Sequence, residues 1–213
     1  LVELDVTKSC NLRCTYCFKG EKVRPGGAHM ALEVAMCAVD WLIDAAIDVE
    51  DLWVNLLGGE PLVVWELVEH LVPYAKRRAA QFGKAIQFGT TTNLTLLNAE
   101  ILGFARRYGM GWHCSIDGLG RVQDAQRPGI RGRSSSARAE RGAALALSHR
   151  PGAMGRATIT REFVGTMLDN VRYLHSKGFR SIGVAPADEP AWTACELAEW
   201  DRQIGRASCR ERV

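Results

Sequence analysis

Residues 1–18, "LVELDVTKSCNLRCTYCF", place three cysteines directly behind a strand-like run, and that placement governs the reading of the rest of the chain. Cys10, Cys14 and Cys17 follow one another as C-x3-C-x2-C. Three thiolates this close suit two kinds of site. Zinc would take a fourth protein ligand, and the nearest candidates, His29 and Cys37, stand at spacings unlike the usual paired pattern. Cys37 lies in "LEVAMCAVDWLI" and is expected to be a buried helix position. A cubane iron-sulfur cluster would use the three thiolates and leave one iron open to a non-protein ligand. The spacing leaves both possibilities standing.

Working outward, six strand-like runs recur at about 1–7, 52–57, 85–91, 111–116, 155–160 and 180–184. Between them, segments 30–48, 63–82, 97–108, 135–149 and 163–177 carry apolar residues at helical spacing, as Leu67, Leu71, Tyr74 and Ala75 do. This alternation predicts an α/β fold of βαβ units on a parallel sheet. Six strands are too few for a closed eight-stranded barrel, so an open, partial (β/α)6 TIM-like barrel and a flat doubly wound sheet compete. The unusual residues favour the barrel. "CNLRCTYC" follows strand 1, "GGEP" (58–61) strand 2, "TTN" strand 3 and "SIDG" strand 4, all at carboxyl ends, where such folds place their chemistry.

Composition sets the outer bounds. A chain of 213 residues with seven cysteines and a formal charge of +3 is long enough for one sizeable core, and its charges are intermixed. No nucleic-acid partner is expected. The strongest basic stretch, "RPGIRGRSSSARAER" (127–141), carries five Arg against one Glu, and reads as a solvated loop or as an anion or leader-peptide surface. Short, charge-interrupted apolar runs predict no membrane span. An odd cysteine count with no leader segment ahead of it suggests a reducing, cytoplasmic compartment, and an opening inside a strand suggests a lost natural start.

The cysteine spacing, with the aromatic Tyr16 ahead of Cys17, resembles the hallmark of the radical S-adenosylmethionine (SAM) superfamily. The resemblance implies a [4Fe-4S] cluster on Cys10, Cys14 and Cys17, with SAM chelating the fourth iron. It also implies electron transfer that cleaves the sulfonium to a 5′-deoxyadenosyl radical, which abstracts hydrogen from substrate. "GGEP" resembles the segment that holds the SAM amino group, implicating Gly58, Gly59, Glu60 and Pro61; alone it also reads as a strand-to-helix turn with Pro61 at the first helical position. "TTTNLTLL" (90–97) and "SIDGLGRVQDAQRP" (115–128) resemble the branch of anaerobic sulfatase-maturating enzymes and peptide maturases. That likeness makes Asn93, Ser115 and Arg127 SAM contacts and Asp117 a nearby acceptor, although Asn93, Asp117 and Asp124 also suit turns or caps. Leu94, Leu119 and Gln123 stand where the branch has glycine, proline and histidine.

The expected activity is reductive SAM cleavage and hydrogen abstraction from a peptide or protein, with an external electron donor such as flavodoxin or ferredoxin. Radical chemistry on a small molecule or nucleic acid, and a zinc-stabilised binding module, are the alternatives. The sequence nominates no substrate-side catalytic residue; His113 and His175 read as structural, and register decides whether Arg156 or Thr158 faces the site. The core domain is expected over 1–185, with a linker or post-barrel helix over 186–203. Only Cys195 and Cys209 follow the barrel, too few for the auxiliary clusters of the maturase branch. The tail "IGRASCRERV" (204–213) can be encoded by a widely used sequencing-adapter sequence, so it is read as non-native, the chain as a truncated core, and Cys209 as no ligand.

Overall fold

A computed structural model describes residues 1–188 and 192–208. Six strands, β1 (Val2–Thr7), β2 (Asp51–Gly58), β3 (Ala85–Thr92), β4 (Gly111–Ser115), β5 (Met154–Ile159) and β6 (Ser181–Pro186), form one sheet in sequential order. Every neighbouring pair is parallel. The sheet is open, with β1 and β6 as its edges. It is the partial (β/α) barrel that the strand ends favoured over a flat sheet.

Among the described residues seven α-helices accompany the strands: α1 (Leu32–Ala45), α2 (Trp65–Gln81), α3 (Ala99–Tyr108), α4 (Gly120–Gln126), α5 (Ser136–His149), α6 (Met167–Ser176) and α7 (Ala194–Ser208). Alternate strand residues are buried beneath the helices, including Leu4 and Val6 of β1, Leu52, Val54 and Leu56 of β2, and Ile86 and Phe88 of β3. Each such aliphatic side chain contributes about 1.5–3 kcal/mol on burial. The other strand parity lines the concave face. In β5, Ala157 and Ile159 are buried while Arg156 is exposed on the opposite parity, which it shares with Thr158.

Helix ends carry their own signals. Asn98 caps α3 by accepting from Ile101 N, and Gly109 closes it at φ 66. One expectation is corrected: Cys37 is exposed. The buried stripe of α1 is Ala35, Val39, Leu42 and Ile43, and Cys37 falls off that face at 100° per residue. The seven-residue α4 lay outside the expected helices, being too short to show a period. Residues 204–208 continue α7, while Cys209 and 210–213 lie outside the described residues.

Candidate site at the cysteine loop

The loop bearing Cys10, Cys14 and Cys17 starts where β1 ends, and the end of β2 is pressed against it. Gly59 N donates to Thr7 O at 2.7 Å and Glu60 N to Ser9 O at 2.9 Å. A Cβ at Gly59 would lie 2.2 Å from Ser9 O; one at Gly58, where φ is +139°, would lie 2.4 Å from Thr7 O. The two glycines thus admit the chain's own backbone, immediately ahead of Cys10.

Glu60 is 1% exposed. Its carboxylate accepts from Leu62 N at 3.1 Å, Thr92 Oγ1 at 2.8 Å and Asn93 N at 2.7 Å, joining β2 to the end of β3. Burial pushes its carboxyl from 4.5 up to about 7 in spite of these donors. Pro61 opens the 3-10 turn that leads into α2. Asn93 turns back onto the cysteine loop: its Nδ2 donates to Asn11 Oδ1 at 2.9 Å and stands 3.9 Å from Cys10 Sγ. Its Oδ1 accepts from Thr95 N and Thr95 Oγ1, an Asx turn. Leu94 is fully buried at φ 68, so the position keeps the left-handed backbone that glycine would adopt without strain.

The far side of the loop is held from β4 and α4. Asp117, fully buried, accepts from Tyr16 Oη and Gln126 Nε2 at 2.8 Å each and from Thr158 N at 3.0 Å. Arg127 Nε stands 3.0 Å from Asp117 Oδ2 as an ion pair, without hydrogen-bond alignment, and its guanidinium lies over the Tyr16 ring. Burial opposes the charge on Arg127, but Asp117, Tyr16 and Cys14 together outweigh it, and the Arg127 pKa is raised. The main chain adds further ties: Thr15 N donates to Gln126 O at 2.9 Å and Arg13 N to Pro128 O at 2.7 Å. Ser115 ends β4, half-buried and paired in register with Arg156.

Burial pushes the Cys10 thiol up to about 11; burial also raises Cys14, against the pull of Arg127. The three thiols act on one another electrostatically, and Leu12 N points at Cys10 Sγ at 3.4 Å. Half-buried thiolates of this kind call for positive charge from a metal. Among the described residues, no group of three or more His, Cys, Asp or Glu closes on a single ion. A cubane offers each thiolate a different iron and so takes donors that stand farther apart; in kind and number, the three thiols fit that group.

Sequence reasoning missed Gln126, the most connected of these residues. Its side chain also donates to Thr158 O and accepts from Thr160 N and Thr160 Oγ1. Its place one residue before Arg127, at the close of "SIDGLGRVQDAQRP", was the available signal. Gln123 fills the position of the branch's histidine by accepting from Asp117 N at 2.9 Å. Asp124 is a cap, accepting from Ser135 N and Ser136 N at the start of α5. His113 is exposed on β4, and His175 lies in the last turn of α6.

The family model described as the Radical SAM superfamily matches residues 4–186. An uncharacterized protein of Methanocaldococcus jannaschii is 28% identical over 179 residues, covering 84% of this chain and 59% of that protein. An S-adenosylmethionine-dependent nucleotide dehydratase of Psychrobacter lutiphocae is 28% identical over 113 residues, 49% of this chain and 38% of that protein. Among solved structures, native anSMEcpe with bound AdoMet and Cp18Cys peptide aligns with a TM-score of 0.82 at 19% identity, over 97% of this chain and 58% of that one. Streptococcus suis SuiB bound to precursor peptide SuiA aligns at 0.70 and 14% identity, over 95% and 44%. At such identities the structural likeness concerns the fold. The chain spans less than two thirds of the length of each of these proteins.

Proposed function

Since the chain belongs to the radical SAM superfamily, we propose that Cys10, Cys14 and Cys17 hold a [4Fe-4S] cluster, that SAM binds beside it, and that the substrate is a peptide or protein. The observation that carries this reading is the convergence on one loop, at the carboxyl edge of a parallel sheet, of three thiols clamped by the ends of β2, β3 and β4. When bound, the cluster and SAM together supply a carbon radical able to abstract hydrogen from substrate.

The chain's own residues bind and orient. Gly58, Gly59 and Glu60 position the SAM amino group, the Glu60 carboxylate being held by Leu62, Thr92 and Asn93. Pro61 fixes the turn behind them. Ser115 and Arg127 contact the ribose or carboxylate, Asp117 holds Arg127 and Tyr16 in place, and Asn93 steadies Cys10. A cavity of about 560 Å³ beside Thr15, lined also by Gln126, Thr160, Arg161 and Phe163, offers mixed polar and apolar contacts suited to a peptide. No residue is assigned as substrate-side acid or base.

Residues 1–185 are proposed as the core and 186–203 as the start of a linker or post-barrel helix. A reducing, cytoplasmic setting suits an oxygen-sensitive cluster and an external donor such as flavodoxin or ferredoxin; no described helix is long and apolar enough to cross a membrane. Anaerobic reconstitution tests the reading: about four irons per chain, cluster absorption, and dithionite-driven release of methionine and 5′-deoxyadenosine, all lost in Cys14→Ala. Stoichiometric zinc without SAM cleavage would overturn it. The nucleotide dehydratase relative favours a second reading, a nucleotide substrate. Transfer of deuterium from a labelled nucleotide into 5′-deoxyadenosine, with none from peptides, would select that one.

A further inference from the structure

The concave face of the sheet holds a hollow toward its amino end, away from the edge that carries the cysteine loop. Gly111 opens β4 and Ser115 closes it, so at about 3.3 Å per residue the two levels stand about 13 Å apart. A cavity of about 390 Å³ opens at the lower level, between β2, β3, β4 and the start of β5. Its floor is glycine: Asn55, Gly89 and Gly111 stand abreast on three adjacent strands. Neither glycine has a positive φ, so backbone conformation does not call for them. Close packing does not call for them either. A Cβ at Gly89 would meet only the Asn55 amide oxygen, at 2.9 Å, and one at Gly111 would lie 3.4 Å from Arg150 Nη1 and 3.8 Å from Phe88 O. Glycine inside a strand with no backbone pressed on it leaves room for a ligand.

The walls are apolar plates and unsatisfied polar groups. Trp53, 41% exposed, and Met154, 37% exposed, face the hollow. Beside them stand Asn55, His113 and Arg150, and among the described residues none of these three side chains has a hydrogen-bond partner. Among the described residues no carboxylate lines the cavity; Glu3, in register with Asn55 on the edge strand β1, lies outside the lining. The Arg150 guanidinium therefore reaches the glycine floor with its charge uncompensated. A concave site with an aromatic plate and a few convergent polar groups is the composition of a small-molecule pocket.

We propose that this hollow binds an aromatic carboxylate, its ring lying against Trp53 over the glycine floor and its carboxylate in the fork of Arg150. Asn55 and His113 stand within the same cavity to meet its remaining polar atoms. A guanidinium pairs with a carboxylate edge to edge in one plane, which suits a flat slot between a glycine floor and an indole. A phosphate is tetrahedral and asks for donors from several sides, whereas the backbone N–H groups of these strands are committed to the sheet. The carboxylate can belong to a free aromatic acid or to the C-terminus of a peptide, since the recognised group is the same. The site does not depend on the cluster reading, because none of its residues belongs to the cysteine loop or to the strand ends that clamp it.

Calorimetric titration of the whole chain with phenylacetate tests this, beside phenylacetamide, triglycyl-phenylalanine and adenosine monophosphate. The wild type should bind phenylacetate at least about tenfold more tightly than the amide. Arg150→Gln and Trp53→Ala should each weaken phenylacetate about tenfold or more. Gly111→Ala should do the same by raising the floor, and its Cβ stands at ordinary contact distance, so its thermal unfolding midpoint should stay near that of the wild type. Tighter binding of the peptide than of phenylacetate would identify a peptide C-terminus as the source; equal or weaker binding would identify a free acid. No phenylacetate binding by the wild type would overturn the proposal, as would equal binding of acid and amide, or unchanged binding in Arg150→Gln and Gly111→Ala. Tighter binding of adenosine monophosphate than of either carboxylate would also overturn it. A chain that takes up no iron is titrated in the same way, so failure of the cluster reading leaves this comparison intact.

Discussion

Two buried carboxylates flank the cysteine loop and are satisfied differently. Glu60, on the β2 side, is met by two backbone N–H groups and a threonine hydroxyl, all neutral. Asp117, on the β4 side, is met by Tyr16, Gln126 and Thr158, and by the buried guanidinium of Arg127. The Asp117 side is therefore a closed ion pair, whose partners fail together when one is removed. Among the described residues no cation touches Glu60, on which Arg127 acts only from a distance, so its carboxyl answers to pH and to any cation brought near.

The largest effect expected from breaking this contrast is on the Asp117 side. Asp117→Ala strands Arg127 in the interior and should cost about 3–5 kcal/mol in urea unfolding. Removing both charges in D117A/R127M should recover part of that loss, the coupling being read from the double-mutant cycle. Gly59→Ala attacks the other side through shape: with its Cβ 2.2 Å from Ser9 O, the ends of β1 and β2 must separate. A loss of about 3 kcal/mol is expected, with lower iron uptake on reconstitution.

The Glu60 side is sharpened by titration. Its carboxyl moves from 4.5 to about 7 on folding, so between those values the folded chain holds a proton that the unfolded chain has released. Its contribution is complete below pH 4.5 and is lost as pH rises through about 7. The slope approaches about 1.4 kcal/mol per pH unit. Unfolding curves from pH 5 to 7.5 should show this decline in the wild type and a flatter profile in Glu60→Gln. The smallest effect is expected of Tyr16→Phe, which removes one donor from a carboxylate that keeps its others. About 1 kcal/mol should be lost, with no change in the pH profile assigned to Glu60.

The order of strands and the edge at which the candidate residues gather were legible because strand ends are marked by cysteines, glycines and Asx residues that interrupt apolar runs. The direction of individual side chains was not. The partners that hold the Glu60 carboxylate could not be read from "GGEP", since Thr92 and Asn93 arrive from a strand thirty residues away. Gln126 left no mark, because a buried amide gains its meaning only from partners on β4 and β5. Cys37 was misjudged for a related reason: an apolar run locates a helix but does not fix which side of it is buried.

The ties between the cysteine loop and the segment around Gln126 impose an order on the molecule's own assembly. Tyr16 and Thr15 find their partners 101 and 111 residues farther along the chain. A nascent chain that has not yet supplied residues 117–129 possesses all three cysteines but not the backbone acceptors that shape the loop around them. Closure over that separation is a late, entropically costly event in folding. On the proposed cluster reading, iron and sulfide delivered before that point would meet a flexible triad of thiols, so productive loading would belong after completion of the fourth βα unit.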